Sequence, residues 1–196
     1  MSETTANLVR VSFVSTYPPR RCGIGTFTCD LASALAQKYG EPLGTSDSLQ
    51  IVALNNTPHG YNYDSEVRFE IRAHHNEDYR NAADYLNLSP VDVVNVQHEF
   101  GIFGGEDGAF ILSLLANLKK PAVTTVHTVL NQPTPSQLET LQSVCSYSSI
   151  VVVLSKRAAE FLVNIYKVPE EKIRSSTVAV PTSSTDTGAR NSTSWF

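Results

Sequence analysis

The chain has 196 residues, a formal net charge of -4 and 17% charged residues, the composition of a soluble globular protein with one large domain or two small ones. The negative balance argues against a general nucleic-acid binder, which needs a basic face to track phosphates. The three cysteines, Cys22, Cys29 and Cys145, are odd in number and have no CxxC spacing, so they read as reduced thiols of a cytoplasmic protein rather than as a disulfide frame or a zinc site.

The opening MSETTANLVR lacks a basic region and leads into 9–14 (VRVSFV), a strand too short and interrupted to be a signal-peptide core. After the turn YPPRRCGIGTFT, the apolar residues Ile24, Phe27, Leu31, Ala34 and Leu35 recur at helical spacing, which predicts a helix over 25–38. Residues 40–48 are turn-like. Strands follow at 49–54 (LQIVAL) and 67–71, and Tyr79, Ala82, Ala83 and Leu86 mark a helix. A fourth strand, 91–96 (VDVVNV), runs into a glycine-rich loop at 101–105 and an apolar helix over 109–118. A fifth strand at 122–126 precedes Thr134-Pro135-Ser136-Gln137, a capping-box pattern with proline at the favoured first helical position. The sixth strand, 150–154 (IVVVL), is followed by Ser155 as the cap of a helix to about Tyr166. No stretch reaches the roughly 20 apolar residues of a membrane span.

Strand and helix alternate almost throughout, and runs such as IVVVL are continuously apolar, as expected of parallel strands covered on both faces. The pattern predicts a doubly wound α/β sheet with helices on both faces. Ligands of such sheets sit beyond the carboxyl ends of the strands, which directs attention to the loops after strands one, four and five.

In the first loop, Gly23 and Gly25 precede and open a helix whose free N–H groups favour an anion, with Arg20 and Arg21 adding charge. Thr28 stands where G-x-G-x-x-G has its third glycine, and no acidic residue ends strand two. A nicotinamide-dinucleotide fingerprint is therefore incomplete. On these residues alone, the stretch reads equally as a tight turn. After strand four, His98 and Glu99 emerge at the rim, and His127 and Thr128 hold the equivalent place after strand five. A histidine there can bond a substrate hydroxyl or move a proton; a lone one is more readily structural, and a second on the same rim shifts the balance toward a site. His59, His74 and His75 lie in polar stretches and read as surface residues. There is no nucleophile elbow and no complete phosphate-binding Walker pattern.

The stretches RRCGIGTF, QHEFGIFGG, TTVHT and VVVLSKRAAEFL, with VPEEKI following, resemble in order the N-terminal domain of the retaining glycosyltransferases of family 4. The resemblance covers 9–173 and implies a Rossmann-like domain forming one half of a GT-B architecture. It also implies transfer of a hexosyl group from a nucleotide sugar to a carbohydrate or lipid acceptor, with no metal and no further cofactor. By the same resemblance His98 contacts the transferred sugar, and Gly23 and Gly25 approach the donor diphosphate. His127 and Thr128 complete the donor rim, while Arg20, Arg21 and Glu99 are acceptor-side candidates.

Members of that family continue with a glycine turn and a second Rossmann-like domain that supplies most of the donor site. Here 174–196 is instead rich in Ser and Thr and has no usable period, as in irregular segments. This pattern is expected of a truncated or frameshifted product, inactive alone, whose tail is read out of frame. Reading the coding DNA in the other two frames beyond Arg174 tests that. Two other readings remain: a non-catalytic nucleotide- or sugar-binding module, or half-enzyme with a separate partner chain, and a nucleotide-dependent oxidoreductase or epimerase.

Overall fold

The computed structural model describes residues 8–176. The first seven residues and 177–196 lie outside it, and with them nearly all of the stretch read as irregular. The strands are β1 (Val11–Ser15), β2 (Leu49–Asn55), β3 (Val67–Arg72), β4 (Val93–His98), β5 (Ala122–Val126), β6 (Ile150–Val153) and β7 (Ile173–Ser175). They form one all-parallel sheet in the order β3-β2-β1-β4-β5-β6-β7. The helices are α1 (Gly23–Tyr39), α2 (Asn76–Leu88), α3 (Ile111–Leu115), α4 (Pro135–Tyr147) and α5 (Lys156–Asn164). The expected α/β Rossmann-like sheet is therefore present.

Side-chain alternation along the strands separates two cores. Val14, Val94, Val96, Val126, Val151 and Val153 face one side, where they meet Tyr79 and Leu86 of α2, Ile111 and Leu114 of α3, Leu141 and Val144 of α4, and Leu162 of α5. Phe13, Ile51 and Ala53 face the other side and meet Ala32 and Ala36 of α1. Among the described residues α1 is the one helix on that second face, packed over β1 and β2, so the far strands are unequally covered. Val151 and Val153 of β6 are buried, whereas Ile150 and Val152 are only partly so. The apolar run at 150–154 thus does not have the equal two-sided cover expected of it.

Local chemistry explains the helix limits. Thr134 accepts from the Gln137 N–H while the Gln137 side chain accepts from the Thr134 N–H, so the capping box forms with Pro135 inside the first turn. Ser155 accepts from the Ala158 N–H. Gly40 ends α1 in the left-handed region, φ 71°. The apolar helix expected over 109–118 is shorter. A 3-10 turn at Glu106–Gly108, with Asp107 at φ 48° and Gly108 at φ 79°, delays its start, leaving only α3. The strand β7 carries no pattern that the sequence reveals; three residues at a sheet edge are too few to show a period.

Candidate functional site

Strand order reverses direction between β1 and β4, so the loops leaving these two strands diverge at a topological switch point. Three of the singled-out segments, 16–25, 98–105 and 127–128, reach this carboxyl edge.

Helix α1 begins immediately there. Its N-cap is Cys22, in extended geometry, and the cap side chain makes no hydrogen bond. The first-turn N–H groups of an α-helix have no partner within the helix. The buried Ser15 and Thr28 hydroxyls share a 2.7 Å hydrogen bond that ties α1 to the end of β1. Gly25 packs against Thr16, and a Cβ added there would stand 3.4 Å from Thr16 Oγ1. Gly23 is exposed, with no atom within 4 Å of where its Cβ would be. Arg20 donates from Nη1 to the Leu54 carbonyl at 3.1 Å, which carries its guanidinium toward the end of β2. Arg21 is exposed.

The strand pairing Val14↔Val96 places Thr16 and His98 each two residues further along neighbouring strands. Both are completely buried. Thr16 Oγ1, His98 Nδ1 and His98 Nε2 have no hydrogen-bond partner. The His98 ring stacks on Phe103, with centroids 5.7 Å apart, and meets Phe100 edge-on at 5.2 Å. This apolar enclosure, together with the nearby His127, lowers its pKa to about 4. His98 is thus a neutral imidazole at physiological pH.

His127 sits beside it but faces the other way. Its N–H donates to the His98 carbonyl at 3.0 Å, continuing the β4–β5 ladder. Since His98 pairs with Val126, the next residue points to the opposite side of the sheet. There the His127 ring packs edge-on against Phe27 of α1 at 4.9 Å and bonds Gln97 at 2.8 Å. Burial lowers its pKa, and the charge of Glu99 opposes that shift. Thr128 donates to Glu99 Oε2 at 2.5 Å, and the Phe100 N–H donates to Glu99 Oε1. Glu99 is therefore already engaged in holding the two exit loops together.

The glycine loop behind His98 has the backbone shape anticipated for it. Gly105 has φ 83°. A side chain at Gly104 would collide with the Ala73 carbonyl. The Gly104 N–H donates to the Tyr79 hydroxyl, which in turn donates to the Ala73 carbonyl. This chain of bonds anchors the loop to α2 and helps fix Phe103 over His98.

Among the described residues no group of three or more His, Cys, Asp or Glu is arranged to hold a metal ion, and no helix is long and apolar enough to cross a membrane. His59, His74 and His75 are exposed. Sequence reasoning missed Thr16, Gln97 and the N-cap position of Cys22. Gln97 was readable as the neighbour that alternation turns away from His98; the unpartnered Thr16 was not.

The fold and this rim define an α/β protein of Rossmann-like type with its candidate ligand edge at the switch point between β1 and β4. No family model and no curated protein matches the chain. Among solved structures it is similar in fold to a glycosyltransferase from Rickettsia africae ESF-5, with a TM-score of 0.55 and 16% identity. The match covers 85% of this chain and 42% of that one, so the chain spans less than half of that glycosyltransferase.

Proposed function

We propose that these residues form the acceptor-side half of a glycosyltransferase of GT-B architecture. It moves a hexosyl group from a nucleotide-sugar donor to a carbohydrate or lipid acceptor with retention of configuration. The observation that carries this reading is the set of buried polar atoms without partners, Thr16 Oγ1 and both His98 nitrogens, beside the open first turn of α1. Buried polar groups are ordinarily hydrogen-bonded. Three such atoms at the switch point therefore fit a bound polar ligand.

In this reading the first turn of α1 and Gly23 receive the donor diphosphate, because free N–H groups and the helix dipole favour negative charge. His98 is neutral and hydrogen-bonds a hydroxyl of the transferred sugar, orienting it without adding a charge. His127 and Thr128 line the neighbouring exit, and Arg20 and Arg21 lie on the acceptor side. Stabilisation of the leaving diphosphate comes mainly from a donor-binding domain, either further along a longer chain or on a partner chain. The fold likeness to the Rickettsia glycosyltransferase, over 85% of this chain and 42% of that one, supports reading these residues as one domain of such an enzyme.

The test is a thermal-stability screen of this chain across nucleotide sugars, nucleoside diphosphates and NAD. A ligand at 100 times its Kd stabilises by about 2.7 kcal/mol, which for a domain of this size raises Tm by roughly 5–10 °C. A rise with one nucleotide sugar that His98→Ala removes supports the proposal. A rise with NAD alone supports the oxidoreductase reading, and no rise across the panel overturns the proposal.

A further inference from the structure

The N-cap of α1 holds a thiol where Ser, Thr, Asp or Asn usually supplies an oxygen to the second and third helical N–H groups. Here those are the N–H groups of Ile24 and Gly25, and the Cys22 side chain bonds neither. Thr16, fully buried and with its hydroxyl unpartnered, lies against the same turn. Next to the thiol, the space around Gly23 is open. The site thus combines a half-buried sulfur, helix N–H groups left without a capping bond and room for an adduct.

We propose that Cys22 forms a reversible mixed disulfide with a low-molecular-weight disulfide, and that the adduct closes the first turn of α1 to anions. The second part rests on the reading of this turn as a phosphate site. The Cys22 thiolate attacks one sulfur of the disulfide R–S–S–R. A Cys22 Sγ–S bond forms, the R–S–S–R bond breaks, and R–S⁻ leaves and takes a proton from water. The Cys22 sulfur is oxidised as the departing sulfur is reduced, and a free thiol reverses the exchange.

The surroundings favour the thiolate that this reaction needs. Burial pushes the Cys22 thiol up, but the Thr16 hydroxyl, the N–H groups of Gly25 and Ile24 and the Arg20 charge outweigh it, leaving the pKa below the ordinary thiol value. The other two cysteines lack this setting. Cys145 is buried in the larger core, and burial raises its pKa to about 12. Cys29 lies within α1 and packs against the smaller core.

The experiment incubates the full chain with oxidised glutathione and maps adducts by peptide mass spectrometry. The expected result is one adduct, at Cys22, formed at least ~10-fold faster than any at Cys29 and removed by dithiothreitol. Thr16→Val, which removes the hydroxyl that favours the Cys22 thiolate, slows the reaction at Cys22 but not at Cys29. An adduct mainly at Cys29, or none at Cys22, overturns the proposal. Pyrophosphate and a nucleoside diphosphate are then titrated into modified and unmodified protein. Loss of binding on modification supports closure, and unchanged binding overturns it. If unmodified protein binds neither, closure and the phosphate reading of the turn fail together, while the adduct map still decides the thiol site.

Discussion

His127 Nε2 lies 2.8 Å from Gln97 Oε1, and this contact fixes where the histidine proton sits. The Gln97 amide nitrogen donates to Asn95 Oδ1, so its oxygen is the atom turned toward His127. Neutral His127 therefore carries its proton on Nε2. Nitrogen-15 NMR shifts of the ring will show the Nε2–H tautomer. Gln97→Glu places a carboxylate against the ring and raises the His127 pKa by about one unit or more. An unchanged pKa would mean that the bond is absent in solution.

His98 makes the protein acid-sensitive in a defined window. Its folded pKa is about 4, against 6.5 for a free histidine. Above pH 6.5 both folded and unfolded states are neutral at this residue, and it contributes no pH dependence. As pH falls from 6.5 to 4, the unfolded chain takes up a proton that the folded one refuses, and stability drops by roughly 3 kcal/mol. His127, also lowered, adds in the same direction. The lowered carboxylates of Asp78 and Asp92 act only further down, through and below the normal carboxylate range. Denaturant titrations at pH 7 and pH 4.5 should show the loss, and His98→Leu should shrink the difference between them.

Two glycines of the candidate site should respond oppositely to alanine. At Gly104 the added methyl meets the Ala73 carbonyl and the Phe110 ring, and the carbonyl cannot move without disturbing its bond from the Tyr79 hydroxyl. Gly104→Ala should cost about 3 kcal/mol or more. At Gly23 the methyl meets nothing, and alanine suits a helix better than glycine does. Gly23→Ala should leave stability equal or up to about 1 kcal/mol higher, while weakening binding of a nucleoside diphosphate. Chemical denaturation of the two variants, with a binding titration of the second, checks both.

The capping box of α4 gives an internal reference. Thr134→Ala removes the bond to the Gln137 N–H at an exposed position and should cost about 1 kcal/mol. Far-UV melting should register it without any change at the rim.

Much of the architecture was readable because it depends on local repetition. Continuous apolar strands and helical spacing located β1, β2, β4, β5, β6 and the main helices, and the Thr134 and Ser155 caps were legible from four residues each. The rim was legible in outline: strand ends in a parallel sheet share one edge, so His98 and His127 had to be neighbours there. The short α3 was misjudged because Asp107 takes a left-handed conformation that apolar spacing does not encode. The strand β7 escaped notice because an edge strand needs little pattern to pair.

The sequence alone determined the sheet, the order of its elements and the presence of two histidines at its carboxyl edge, because these follow from periodicity and chain order. Only the tertiary structure decided which way each histidine faces and what it meets. Alternation across the sheet sends His98 into the aromatic enclosure of Phe100 and Phe103 and His127 to Gln97 and Phe27. Burial without partners at Thr16 and His98, and the open turn at Cys22 and Gly23, likewise arise only when β1, β4 and α1 pack together. Burial and hydrogen bonding are properties of surroundings, and these surroundings join residues as far apart in the chain as Phe27 and His127.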